Sequence, residues 1–439
     1  MKKIIVVFAI YLISSNSLFS QFNLSGQILN RSEYRHGFGT LLDTGVAAGV
    51  SIGQRSRLNA TYTADKVKFG MAVQDIRTWG NTSQIKLTDG LFSVHEAWMD
   101  IQLNPKISAK IGRQELDYDD ARFLGNLDWA LQARAHDIAL LKYNDSANQF
   151  QAHAGFAFNQ TGDFMSGTYY NQPNQYKIAQ MLWMNKKWDN FTLGFLLWNN
   201  GMQSDTAITK NKDKVNYTAT FGIPVIEYRE KDWTFRGFFY YQFGWDQRDK
   251  NVAAYDGNAE INYTKLIDAT KKNKYSFTGG FEYISGTSQI DPANTQNNSF
   301  NPLYGTNHRH NGYMDYFYVG GRHINSVGLV DGYLRTKYEF NPNVFIGATI
   351  HVFNSAADIR DINLGGLNKA SSYLGTELDL TGGYKFTESV SFQGGYSQMF
   401  GSESLQMLRG GNRDATQNWA YLAILFRPGM KNKFTGLKW

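Results

Sequence analysis

Apolar residues in this chain recur at every second position, and outside the first few residues no apolar run is long enough to cross a bilayer as a helix. Phe191, Leu193, Phe195 and Leu197 share one parity, with Thr192, Gly194 and Leu196 on the other. Trp233, Phe235, Phe239, Tyr241, Phe243 and Trp245 do the same against Thr234, Arg236, Tyr240 and Gln242, and similar stretches cover 150–158, 344–352, 374–386 and 390–400. A period of two is that of a strand. Beyond the ten-residue run 4–13, the longest purely apolar run is eight residues, 419–426, whereas a spanning helix needs about 20. A soluble sandwich also alternates, so the period alone does not separate a protein core from lipid.

Aromatic placement and turn spacing make that separation. The chain holds 30 Phe, 26 Tyr and 10 Trp, and these repeatedly begin or end the apolar parity, as in the aromatic girdles at two membrane interfaces. Short polar turns read at 65–66, 104–106, 144–148, 185–188, 230–232, 271–274, 341–343 and 387–389. Most of their centres lie about 40 to 46 residues apart, the spacing of two long strands and a loop. Longer connections fall between them at 35–55, 80–92, 118–135, 160–175, 201–214, 246–258, 286–326, 354–370 and 401–417. Short turns on one side and long loops on the other define an all-β, transmembrane antiparallel β-barrel with periplasmic turns and extracellular loops. One entering strand at 22–34, eight turn-linked pairs and one returning strand at 418–427 give 18 strands, with 16 as the alternative. A propeller blade has a similar period but needs four strands in each; here there are two.

Lys2 and Lys3, the apolar run 4–13 and the small polar stretch 14–20 have the layout of a secretory signal peptide. The expected division is a signal at 1–20, an outer-membrane barrel at 21–428 and a periplasmic tail at 429–439. The formal charge of +6 falls to +4 without Lys2 and Lys3. These charges are scattered, which argues against nucleic acid as a partner. Zero Cys removes disulfides, thiolate nucleophiles and Cys-ligated metals. Outer-membrane lipid and the barrel-assembly machinery are the partners such a chain requires, and a monomer is the favoured state.

Charged residues on the membrane-facing parity near mid-bilayer would cost roughly 2–4 kcal/mol each for Lys or Arg, so charged strand positions are expected to face the lumen. Arg31, Glu33 and Arg35 share one parity, as do Glu96, Asp100 and Gln102, Arg335, Lys337 and Glu339, and Glu377 and Asp379; Arg236 joins this inward set. At about 18 strands the interior is too wide for wall side chains to fill. With the first strand following directly on the signal, any constriction is expected from loops folded inward and from lumen side chains.

Several segments give the chain a resemblance to the alginate-export outer-membrane porins, in the version found in flavobacteria-like Gram-negative bacteria. They are Ile111-Gly112-Arg113-Gln114-Glu115, Tyr118-Asp119-Asp120-Ala121-Arg122, 124–129 and 132–137, supported by 301–308 and 312–318 in the longest loop. The resemblance implies an 18-stranded barrel whose narrow, Arg- and Lys-rich pore passes acidic polysaccharide by diffusion. Carried over by position, Arg113, Arg122 and Arg134 are the candidate uronate contacts, since a guanidinium offers paired donors to a carboxylate. Glu115 and Asp119 are expected to hold those arginines, and Arg31, Arg35, Arg236, Arg335 and Lys337 complete the candidate pore lining. Arg113 shares parity with the apolar Ile111, so a bulge is expected at Gly112.

Enzymatic readings are weaker. His136-Asp137 and His308 with His310 lack an identifiable third partner, and His95-Glu96 lacks the second His of a zincin. No phosphate loop occurs, and no catalytic residue and no cofactor is expected. The expected function is passive diffusion of anionic solutes, foremost acidic polysaccharide or oligouronate. A general small-solute porin and a surface receptor or adhesin without transport are the alternatives.

Overall fold

The computed structural model describes residues 22–85, 91–170, 172, 175–205, 214–291, 293–430 and 434–438; the expected signal peptide at 1–20 lies outside them. Eighteen strands form one antiparallel sheet. They are β1 (Phe22–His36), β2 (Gly49–Ala64), β3 (Val67–Thr78), β4 (Phe92–Asn104), β5 (Ile107–Gln114) and β6 (His136–Asp145). Next come β7 (Phe150–Phe158), β8 (Ile178–Lys187), β9 (Phe191–Gln203), β10 (Val215–Glu230), β11 (Trp233–Trp245) and β12 (Asn251–Asp268). The last six are β13 (Asn273–Ile284), β14 (Leu329–Asn341), β15 (Val344–Asn354), β16 (Tyr373–Lys385), β17 (Val390–Gly401) and β18 (Gln417–Phe426).

Each strand pairs with its sequence neighbours, and β1 pairs with β18, so the sheet closes on itself. Closure has a physical cause. An edge strand in hydrocarbon would leave its amides and carbonyls without partners, at several kcal/mol each. The seam runs from Ile28 opposite Phe426 to His36 opposite Asn418. On its other side β1 pairs with β2 along nearly its whole length, from Phe22 to Arg35.

Burial follows the parity. In β11, Phe239, Tyr241 and Phe243 are 38–43% exposed, whereas Tyr240 and Gln242 between them are 1% exposed. The exposed set is apolar or aromatic on strand after strand, and it is the membrane-facing surface. Tight turns sit where the sequence places them, with Asp65 (φ 47°) and Lys231 (φ 53°) in the left-handed region that two-residue hairpins use.

Two local expectations differ. The connection at 246–258 is shorter, because β12 already starts at Asn251. Its Asp256 looks like a loop residue in sequence but is a fully buried strand residue in contact with Arg122 of the connection between β5 and β6. The irregularity expected at Gly112 lies one strand away: Ala72 pairs with Glu96 and Val73 with Val94, leaving His95 as the extra residue. Gly112 itself adopts φ 122°, and a Cβ there would come within 2.3 Å of the Ala97 carbonyl oxygen, so only glycine fits.

If Phe239 faces hydrocarbon, Phe239→Arg in mid-β11 should lower unfolding free energy by about 2–4 kcal/mol. Equilibrium urea unfolding in detergent or lipid, followed by heat-modifiable mobility, measures this; an effect below about 0.5 kcal/mol, typical of exposed surface sites, would contradict the assignment.

Candidate functional site

The lumen is filled from the long-loop end by two connections, 115–135 between β5 and β6 and 285–328 between β13 and β14. They are zipped to each other by backbone hydrogen bonds. Gly125 N–H donates to the Tyr304 carbonyl (2.9 Å), Thr306 N–H to the Ala121 carbonyl (2.8 Å), and Leu127 N–H to the Thr306 hydroxyl (3.0 Å). Phe300, Met314, Tyr316 and Phe317 are at most 1% exposed, so this plug has an apolar core of its own inside the barrel.

Charged wall residues anchor it. Arg122 is fully buried, with Nε 3.0 Å from Asp256 and 2.9 Å from Glu282. Burial works against its charge, but Glu282 and Asp256 hold the guanidinium above its ordinary pKa. Asn311 donates to Glu282 (2.6 Å) and Asp331 (3.1 Å), and Asp331 also contacts His351 (2.9 Å). Met314 N–H donates to Glu377 (2.7 Å). A short helix α1 (Glu403–Arg409) adds Arg409, whose guanidinium donates to the Tyr316 carbonyl (2.6 Å). Arg55, wholly buried, bonds Asp128 at 2.7 Å and Gln27 at 2.9 Å, and Arg427 reaches Asp128 at 3.2 Å.

Above the plug, at the long-loop mouth, lies a cavity of about 810 Å³ lined by Arg31, Arg35, Arg113 and Arg134, with Trp129 and Tyr176 among its other walls. Arg31 donates to Glu33 (3.0 Å) and to the Trp129 carbonyl (2.6 Å), and its guanidinium lies 4.3 Å from the Trp129 ring centre. Arg35 shares Glu33 (2.9 Å) and covers Phe38, with 44% of its side chain exposed. Arg113 pairs with Asp137 at 3.0 Å, their side chains 42% and 61% exposed. Such exposed pairs are worth only about 0–1 kcal/mol, so an incoming carboxylate can replace the internal one. Arg134 donates to the Tyr304, Gly305 and Gly125 carbonyls; burial pulls its pKa down to about 10, which leaves it charged at neutral pH.

The structure therefore brings together four of the nine expected pore residues. Arg122 does not reach the cavity. Its charge is spent on two carboxylates, which corrects its expected role as a uronate contact. Glu115 holds none of the three arginines: it bonds His95 (2.8 Å) and Asn126 (2.8 Å) and lies 3.4 Å from Arg57. Asp119 accepts from the Trp183 indole (2.9 Å). Arg236 bridges Glu227 (2.7 Å) and Glu260 (3.1 Å), Arg335 covers Tyr333 and lies 4.0 Å from Glu260, and Lys337 pairs with Glu339 at 2.5 Å. These last three brace the inner wall away from the mouth. Arg55 escaped the sequence reading because it falls at the end of the expected loop 35–55, where parity was not read. His308 stacks on Trp129 (4.2 Å between centroids) and bonds Asp315 (2.6 Å), a bracing role, and no metal-ligating cluster occurs among the described residues.

A closed, lipid-facing barrel with a constricted lumen is the architecture of an outer-membrane channel. Solved structures with the same fold include OccK11 (OpdR) of Pseudomonas aeruginosa, with TM-score 0.59 and 10% identity over 93% of this chain and 96% of that one. The outer membrane protein OpdK of the same organism matches with TM-score 0.58 and 11% identity over 92% and 98% of the two chains. OccAB4 of Acinetobacter baumannii matches with TM-score 0.59 and 11% identity over 93% and 98%. No curated protein matches the sequence. The alginate export family model matches residues 23–414, and the chain belongs to that family. It is an outer-membrane channel.

Removing Arg122 would strand Asp256 and Glu282 in a dry interior, a loss of about 3–5 kcal/mol. Arg122→Ala should lower the urea midpoint accordingly and make single-channel current noisier as the plug loosens, whereas an unchanged midpoint would show that the two acids find other partners.

Proposed function

We propose that this channel passes anionic solutes by passive diffusion, with acidic polysaccharide or oligouronate as the leading substrate. The observation that carries the reading is the convergence of Arg31, Arg35, Arg113 and Arg134 on one cavity at the mouth, with Arg35 and Arg113 half exposed and Arg113 held only by an exposed pair. Guanidiniums offer a carboxylate two parallel donors, and a row of them suits a chain that carries one carboxylate per sugar. Family membership supports the same substrate class. A general small-solute porin is the second reading, favoured by the wall pairs that balance most lumen cations with acids. On either reading the chain is a transporter with no catalytic step, taken through the inner membrane by a signal peptide at 1–20, inserted into the outer membrane by the barrel-assembly machinery and working as a monomer. Direction then follows the solute gradient.

Planar-bilayer recording with and without uronate oligomers tests this. Wild type should prefer anions and be blocked transiently by the oligomer. Arg35→Ala with Arg113→Ala should weaken block by roughly tenfold or more, at about 1.5 kcal/mol or more for each lost charge-assisted hydrogen bond. Unchanged selectivity and block would favour the small-solute reading, and zero conductance in wild type would favour a receptor or adhesin.

A further inference from the structure

Of the tail expected beyond residue 428, the described part, 434–438, packs inside the barrel. Phe434 sits against Phe345, with centroids 4.8 Å apart at 69°, and beneath Lys385, whose ammonium is 5.6 Å from its ring centre. Phe345 and Lys385 both lie within three residues of short turns, so this contact is at the periplasmic end. Thr435 exchanges two hydrogen bonds with Gln393 of β17: its N–H donates to the Gln393 Oε1 (3.0 Å) and its carbonyl accepts from Nε2 (2.8 Å). Gly436, at φ 74°, lies so close to Trp129 that an added Cβ would be 2.3 Å from the indole Cε3. Further in, Lys438 N–H donates to the Tyr313 hydroxyl (3.3 Å), and its ammonium reaches Asp120 (3.4 Å) and His310 (3.3 Å), both on the loop plug.

The segment thus climbs from the turn end of the wall to the underside of the two-loop plug. Five residues reach at most about 17 Å, more than half of the roughly 25 Å apolar band. Trp129 is shared: its ring lines the arginine cavity at the mouth and also meets Gly436. Trp129 therefore stands between the arginine-lined mouth and the strap below it.

We propose that residues 434–438 form an internal periplasmic plug that must leave its seat before any solute larger than a small hydrated ion can pass. Its contacts suit a reversible closure. Three neutral hydrogen bonds, one ammonium–imidazole contact, one aromatic pair capped by Lys385 and one long ion pair are fewer than the contacts fixing the outer loops, so the strap is the part of the filling that can move while the sheet and outer plug stay intact.

The full-length chain, reconstituted in liposomes, tests the proposal in two ways. Gly436→Val cannot keep its φ or its distance from Trp129, and should raise disaccharide flux severalfold while heat-modifiable mobility stays that of wild type. The Cys-free background allows the converse. Gln393→Cys with Thr435→Cys, joined by a short bismaleimide, should abolish disaccharide flux, whereas the same double variant left unlinked transports. If the linked protein passes disaccharide at the unlinked rate, the strap is not a gate and the proposal is overturned, including the case in which Gly436→Val fails to fold. Wild-type flux in a folded Gly436→Val would overturn it as well.

Discussion

The hydrogen-bonded seam between β1 and β18 is the constraint from which the rest of the molecule follows. Without it two strand edges would lie open in hydrocarbon, where no water can satisfy them. With it, every strand has two partners and the sheet becomes a cylinder of eighteen. That size creates the second problem, an interior wider than the wall's own side chains can fill. The chain answers with its loops: 115–135 and 285–328 fold inward, pair with each other and bury Phe300, Met314, Tyr316 and Phe317 away from both lipid and water.

Charge performs two distinct jobs in this interior, and burial decides which. Where the lumen is dry, a cation needs compensating acids, and Arg122 between Asp256 and Glu282 is a structural rivet. Where the lumen opens to solvent at the mouth, Arg113 holds Asp137 only in an exposed pair, and the half-exposed Arg35, though bonded to Glu33, still presents its outer face to a passing anion. Arg31 and Arg134 lie between these cases, lining the same cavity while bonded to Glu33 and to backbone carbonyls. Arginine content alone therefore overstates how electropositive the path is.

Much of this architecture was legible in the sequence because a barrel strand has only two environments. Alternation in Phe191–Gln203 and Trp233–Trp245 reports lipid on one side, and short turns such as 65–66 and 342–343 fix the count. The start of β12 was not legible, since its inward Val252 and Ala254 are apolar and pack on the inward-folded loops while its outward Ala253, Tyr255 and Gly257 are hardly more so, which leaves no clear alternation. The site was legible in composition more than in position. Arg113 and Arg134 do meet Arg31 and Arg35, but the partners that take Arg122 out of the pore, Asp256 and Glu282, lie more than 130 residues further along the chain. Only the fold brings them together, and the same holds for Arg55 with Asp128.

Closure itself can be measured in the Cys-free chain. Ser32 and Leu422 stand opposite each other across the seam with outward side chains. Ser32→Cys with Leu422→Cys should form an intramolecular cross-link in the folded, membrane-inserted monomer, leaving its heat-modifiable mobility resistant to boiling until reduced. A folded monomer that never cross-links, or that cross-links only between molecules, would contradict a closed cylinder and with it the account of the filled lumen and the arginine-lined mouth.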